Sequence, residues 1–386
     1  MSVSHWRRVK QPLEAPRSHT VIIGAGITGL SAAYELAKRG QHVHILERHT
    51  LGWGASSRNA GFLMRGLAEN YAHTADHLGR ETARLVWQWC QDNLALLRTR
   101  YGIDSLSTFQ NCPSAVVSMS AGETAELRRS AELMMQDGFE CELQTMGSDT
   151  LWWNLTPEVA LVNPHDAAIN PWEMVRRMRQ VLMERHSERV TITENAEVTG
   201  IVEGAVYTAE AMYPCDSVLV CTNAWARELL PRLGAHVAPN RGQMMAIDAP
   251  GVTLNASYYL NRGSEYIRQT LDGTIILGGK RTFREADECN SSSAVTADIQ
   301  NELERYARSI LKTDFEVVAR WAGTMGFSPS GLPIIARAEE MPGNVWFCGG
   351  LTGHGMSLGA RTAQAAVMAM LGEDEVPREM AVFEAD

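Results

Sequence analysis

An α/β fold carrying an antiparallel insert is the architecture this sequence predicts, and three stretches predict it. Residues 20–47 run strand, glycine-rich turn, helix, strand. Residues 344–371 again run strand, glycine-rich loop, helix, near the other end of the chain. Between them, residues 243–280 break into short strands separated by turn residues, the pattern of an antiparallel sheet.

The first stretch is the most specific. Residues 20–23 are apolar and β-prone and run into Gly24-Ala25-Gly26-Ile27-Thr28-Gly29. Gly24 permits a tight turn, Gly26 lets a pyrophosphate approach the backbone, and Gly29 lets helix and strand pack closely. A helix over residues 27–39, ended by Gly40, presents free N–H groups and a positive dipole end to phosphates. The strand 42–46 then delivers Glu47, placed to accept hydrogen bonds from ribose hydroxyls. An acid at this point favours FAD or NAD over NADP, and only the neighbouring Arg48 pulls the other way.

The following elements are read in chain order. Residues 51–61 form a loop of small and polar residues suited to lie against a flat ligand. Helices are expected over 78–100, 120–137 and 170–186. Ser120 with Glu123 forms a capping box, and Asn170 caps a helix that has Pro171 at its first position. Strands follow at 190–193, 196–202, 205–208 and 217–221, and the last ends in small and polar residues that open a short helix. The antiparallel insert holds strands at 243–248, 257–260, 265–269 and 274–279, with a hairpin signal at Asp272-Gly273. A helix over 294–312, a strand at 344–348, the loop 349–355 and a helix over 356–371 complete the chain.

Composition bounds the rest. At 386 residues the chain is long enough for two domains, with ordinary apolar (45%) and charged (21%) content. No apolar run approaches the length of a membrane span. Residues 1–17 lack the apolar centre of a secretory signal and are expected to be a loosely held arm. A net charge of −10 disfavours nucleic acid and anionic membranes as partners. Seven cysteines without a C-x-x-C pair suggest reduced thiols and a cytoplasmic setting. No cluster has metal-ligand spacing. Oligomeric state has no signal.

Four pieces in order carry a resemblance that spans residues 21–371. They are Gly24–Gly29 with Glu47, Gly52-Trp-Gly-Ala-Ser-Ser-Arg-Asn-Ala-Gly61, Tyr266-Ile-Arg-Gln-Thr-Leu-Asp-Gly-Thr-Ile-Ile-Leu-Gly-Gly279, and Gly331-Leu-Pro333 followed by Gly349-Gly-Leu-Thr-Gly-His-Gly355. With these the chain resembles the D-amino-acid oxidase-like FAD-dependent oxidoreductases, the group of glycine oxidase, sarcosine oxidase and γ-glutamylputrescine oxidase. The resemblance implies a glutathione-reductase-like FAD-binding Rossmann domain, formed discontinuously by residues 18–80, 165–235 and 320–386. It also implies an antiparallel-sheet substrate domain from residues 81–164 and 236–319. The implied activity is oxidation of the C–N bond of an amine or N-substituted amino acid to an imine, with O2 or another electron acceptor. D-amino-acid or glycine oxidation is the alternative within the family, and modification of a tRNA wobble base is an alternative of another class.

The resemblance also assigns residues. Cofactor contacts are expected from Gly24 to Gly29, from Glu47 and Arg48, and from Ala55, Ser56, Ser57, Arg58, Asn59, Ala60 and Gly61. Val198, Thr222, Asn223 and Trp225 join them, as do Gly350, Leu351, Thr352, Gly353, His354, Gly355 and Met356. Relatives that tether the flavin do so through a cysteine or histidine. Here the segment Trp321–Pro329 has no cysteine and Arg58 stands at about the histidine position, so noncovalent FAD is expected. Catalytic roles are expected for His354 in the second glycine loop, and for Tyr266 and Arg268, which alternate on one strand and so share a face. Lys280 is a candidate for assisting the oxygen reaction, since the family's lysine position is Ile276. Arg65 is the remaining candidate to grip a carboxylate, because the family's other gripping positions hold Met325 and Ser357.

Overall fold

The computed structural model describes residues 13–145 and 157–381. Most of the expected amino-terminal arm, residues 1–12, lies outside that range. β1 (Ser18–Ile23) leads through the glycine turn into α1 (Ile27–Lys38) and β2 (Val43–Leu46). α3 (Arg80–Tyr101) is the helix expected over 78–100; a further helix, α2 (Tyr71–Leu78), precedes it, and Gly79 at φ +90° turns the chain between them. β3 (Ser114–Val117) precedes α4 (Ala121–Gln136), whose first turn is capped by the Ser120 hydroxyl accepting from the Glu123 N–H at 3.3 Å. β4 (Glu142–Thr145) and β5 (Val159–Asn163) come next, then α5 (Pro171–His186) with the Asn170 side chain accepting from the Trp172 and Glu173 amides.

β6 (Val190–Thr193), β7 (Val198–Val202) and β8 (Ala205–Thr208) are short, while β9 runs over Ala211–Val220. β10 (Ala238–Asp248), β11 (Ser257–Leu260), β12 (Glu265–Gln269) and β13 (Ile275–Gly279) make the expected insert, and α6 (Ala297–Ile310) follows. β14 (Glu316–Phe327), β15 (Ile334–Arg337), β16 (Asn344–Gly349) and α7 (Gly355–Met370) close the chain.

The first sheet has a parallel heart in the order β16–β9–β1–β2–β6, with β15 antiparallel on β16. Such a sheet is buried on both faces, and its strands are near-continuous apolar runs: Val21, Ile22, Ile45, Leu46, Leu219 and Val220 are all inaccessible or nearly so. One face packs on α1, α3, α5 and α7, the other on the residues around Leu230 and Leu233. β9 is longer than expected because Met212, Tyr213 and Pro214 in its first half pair with β8 before its second half enters the parallel sheet.

The second sheet runs β14–β10–β13–β12–β11–β3–β5–β4. It is larger than the expected insert, since it draws in β3, β4 and β5, and its β11–β3 pairing is parallel. The whole of β14 belongs to it, so a domain boundary at residue 320 would fall inside a strand. α3, assigned by sequence to the substrate domain, packs instead on α7 in the first core. One face of the second sheet is covered by α6 through Ile299, Leu303 and Ile310. The other face turns toward the first sheet, and that is where the site lies.

Candidate active site

Two adjoining cavities occupy the space between the sheets. The first runs along the carboxyl ends of β1, β2 and β9. Its floor is the glycine turn. Gly24 takes φ +108°, and a side chain on Gly29 would place Cβ 1.9 Å from the Gly24 carbonyl oxygen, so strand and helix meet with no room between them. The Ile27 N–H donates to Ser56 Oγ at 3.1 Å, while the N–H groups of Gly26 and Thr28 have no partner among the described residues. These amides at the start of α1 face the cleft and suit a pyrophosphate.

At the end of β2 the Glu47 carboxylate accepts from the Ala25 N–H at 2.8 Å and the His49 N–H at 2.9 Å. It is thereby fixed at the cleft with lone pairs left for hydroxyl donors. Arg48 lines the same cleft, but it is ion-paired with Glu228 (2.9 Å) and Glu197 (3.4 Å) and lies over the Trp225 ring. It has carboxylates enough and does not call for a phosphate. Val198, Thr222, Asn223 and Trp225 line the far end. His49 and Trp53, which sequence reading passed over, add a ring pair with centroids 4.0 Å apart.

The second cavity lies under the open face of the second sheet. A cross-strand row runs along it: Trp321, Met244, Gly278, Tyr266 and Tyr259 are successive register partners, and Met244, Tyr266 and Tyr259 of that row line the cavity. Gly278 sits in mid-row for a physical reason, since a Cβ there would come within 2.3 Å of the Tyr266 ring. The ring therefore lies across the backbone of its neighbour. Burial pushes the Tyr266 phenol up to about 12 and that of Tyr259 higher still, so both hydroxyls remain protonated. The two cavities share Ala55, Asn59, Met325, Gly353 and Met356, so they join at the start of α7.

That junction is built by the second glycine loop. Gly350 takes φ +63° and its N–H donates to Asn223 Oδ1 at 3.0 Å, which ties the loop to the end of β9. The N–H groups of Gly353, Gly355 and Met356 have no acceptor among the described residues and stand at the positive end of α7. His354 caps the helix. Its Nε2 accepts from the Ala68 N–H at 2.7 Å, which puts the ring proton on Nδ1, and burial lowers its pKa to about 4. His354 is therefore neutral at ordinary pH.

Three of the expected catalytic residues are placed elsewhere. Arg268 shares the cavity-side face with Tyr266, but its guanidinium is consumed below the roof by the Ala60 carbonyl, the Ile169 carbonyl (3.0 Å) and Gln110 (3.0 Å). It positions the loop 59–61. Arg65 is buried against Asp166, whose carboxyl burial raises to about 6, and lines neither cavity. Lys280 pairs with Glu265 at 3.1 Å and sits over the Tyr306 ring on the far face. It adopts φ +59°, and this left-handed turn hands the cavity side to Arg281, a residue sequence reading missed. Nothing in the sequence announces that turn, because lysine rarely takes it.

The expected cofactor residues divide in the same way. Gly24, Gly26, Ile27, Thr28, Ala55, Ser56, Asn59, Leu351 and Gly355 line the first cavity, and Arg58, Ala60, Thr352 and His354 the second. Ala25, Gly29, Ser57, Gly61 and Gly350 stand behind the walls and shape the loops. The cradle of free amides, the fixed acid and the joined cavities fit a dinucleotide that carries a flat ring system at one end.

Known proteins agree with that geometry. Residues 19–368 match the DAO family, described as FAD dependent oxidoreductase. The chain is 23% identical to the probable oxidoreductase OrdL of Haemophilus influenzae, over 94% of this chain and 84% of that one. It is 21% identical to the gamma-glutamylputrescine oxidoreductase of Escherichia coli, over 87% of this chain and 79% of the other. The crystal structure of glycine oxidase from Geobacillus kaustophilus superposes with a TM-score of 0.78 at 22% identity, covering 96% of this chain and 100% of that one.

Proposed function

From the premise that this chain belongs to the DAO family of FAD-dependent oxidoreductases, we propose that it oxidises the C–N bond of an amine or N-substituted amino acid to an imine. The observation that carries the reading is the junction, where a dinucleotide cleft opens into a second cavity roofed by Met244, Tyr259 and Tyr266. When bound, FAD supplies a two-electron acceptor for the hydrogen on the carbon beside the amine nitrogen.

The chain's own residues do the rest. Gly26, Thr28, Ser56 and Glu47 hold the phosphate and ribose end. The amides of Gly353, Gly355 and Met356 offer hydrogen bonds and a positive dipole end at the junction, where they stabilise developing negative charge. The apolar roof excludes water and favours the uncharged amine, because an ammonium entering it loses hydration. His354 keeps its proton on Nδ1 and adds no charge of its own. Met325 and Met356 shape the passage between the cavities, and Tyr266 presents a phenol that stays a hydrogen-bond donor.

The test is product chemistry. Holoenzyme incubated with primary amines, N-methyl amines and N-substituted amino acids should release a carbonyl compound, trapped as its hydrazone, after the imine hydrolyses. Absence of any trapped carbonyl across the series would refute the reading. Attachment is tested separately. No cysteine lines the roofed cavity among the described residues. We expect acid precipitation to leave the yellow colour in the supernatant, and colour retained in the pellet would overturn noncovalent binding.

A further inference from the structure

We infer that Asn93 on α3 is a positioning residue for the flavin. It holds the start of α7 so that the free amides there face the junction, and thereby sets how strongly the site favours the reduced cofactor. The inference rests on the flavin lying at that junction, as read above, and not on which molecule is oxidised. It starts from a helix that does not fix its own first turn. No side chain among the described residues caps α7, whereas α4 and α5 carry Ser120 and Asn170. The support comes from another element. Asn93 is fully buried, and its three hydrogen bonds all go to the backbone of α7. Its Nδ2 donates to the Met356 carbonyl at 2.9 Å, and its Oδ1 accepts from the Ala360 N–H at 2.8 Å and the Arg361 N–H at 3.1 Å. Met356 and Ala360 are four residues apart, so that carbonyl and that N–H are the two ends of one helical step. One side chain thus grips both ends of the step that begins at the junction.

An apolar side chain would serve the packing of α3 on α7 without burying an amide, so the hydrogen bonds are what this position supplies. Neighbouring contacts hold the same turn. Arg361 lies over the Trp89 ring of α3 at 4.3 Å and reaches Asp92 at 4.0 Å, so residues 89–93 clasp one side. Toward α1, a Cβ on Gly359 would come 3.1 Å from Ile27 Cγ2. The first two turns of α7 are therefore held between α3 and the start of α1, the helix that opens the dinucleotide cleft. Met356 joins the two functions: its carbonyl is held by Asn93, its N–H has no acceptor among the described residues, and its side chain lines both cavities. The field of a helix N-terminus falls off within its first turn, so a small rotation changes what these amides offer to a charge beside them. Reduction adds negative charge to the flavin, so the reduced form loses more when they turn away.

The readout is the midpoint potential of the bound flavin, measured by reducing the holoenzyme alongside a reference dye. In Asn93→Leu the preference for reduced over oxidised flavin should fall about tenfold, a drop of about 30 mV for a two-electron couple. Asn93→Gln keeps an amide and should recover part of the drop. A role confined to stabilising the fold would weaken oxidised and reduced FAD by one common factor and leave the potential unchanged. Val367→Ala supplies that comparison, since Val367 is fully buried on α7 about 16 Å from Met356. It should lower the melting temperature and leave the potential in place. An unchanged potential in folded, FAD-loaded Asn93→Leu would overturn the inference, as would an equal drop in Val367→Ala. If Asn93→Leu does not fold, the smaller Asn93→Ser decides: its shorter side chain cannot span the step, so a drop is expected and an unchanged potential overturns the inference. Failure of the amine reading shows separately, as no carbonyl release from any amine while the potential still responds to Asn93.

Discussion

A methyl group at position 29 would reach the Gly24 carbonyl oxygen at 1.9 Å, and no shift of one residue relieves it because both partners are backbone. Gly29→Ala should therefore spread β1 from α1 and weaken FAD at least tenfold, read by fluorescence titration of the apoprotein; unchanged affinity would contradict the packing role. This residue was legible in the sequence, since a glycine spacing states its own geometry. Arg281 was not, because its placement follows from the left-handed backbone of the preceding lysine. His44 shows a different dependence at the same scale. It is buried on β2, bonded to Thr193 at 2.8 Å, with its pKa lowered from 6.5 to about 4 by desolvation. The unfolded chain therefore binds a proton that the folded chain refuses. Stability should fall as pH drops below about 6.5 and level off below about 4, by about 3 kcal/mol from this group. Urea denaturation across that window should show a shallower slope for His44→Gln, and identical slopes would contradict it.

Elements announce themselves by their caps more clearly than by their partners. Helices α4 and α5 start where Ser120 and Asn170 place them, because a cap is a local hydrogen bond. Strands β3 to β5 were not foreseen. β4 is exposed throughout and β5 buried throughout, so neither alternates, and β3 finds its parallel partner more than a hundred residues later in β11. The loop 59–61 depends on another element in the same way, through Arg268 of β12 holding the carbonyls of Ala60 and Ile169. Arg268→Met leaves those buried acceptors unpaired, at about 1–3 kcal/mol each. We expect a lower melting temperature and weaker FAD binding together, with KM for substrate little altered. A large rise in KM with FAD affinity intact would return Arg268 to the substrate.

At the scale of the whole molecule, a parallel sheet with unpartnered amides at its glycine turn and a mixed sheet that roofs a cavity meet at the start of α7. The parallel half could be read from the chain in order, since its motifs are contiguous. The roof could not, because the row from Trp321 to Tyr259 is assembled from β14, β10, β13, β12 and β11, and only the register brings those side chains together. The proposed division of labour follows from that assembly: contiguous motifs would hold the cofactor, and the cross-strand row would face the substrate. The most direct test is anaerobic spectroscopy of the holoenzyme mixed with amines, N-methyl amino acids and D-amino acids. At least one amine should bleach the visible absorbance of the oxidised flavin, as amine oxidation requires. A flavin that stays oxidised against every amine, yet is reduced by dithionite, would contradict it.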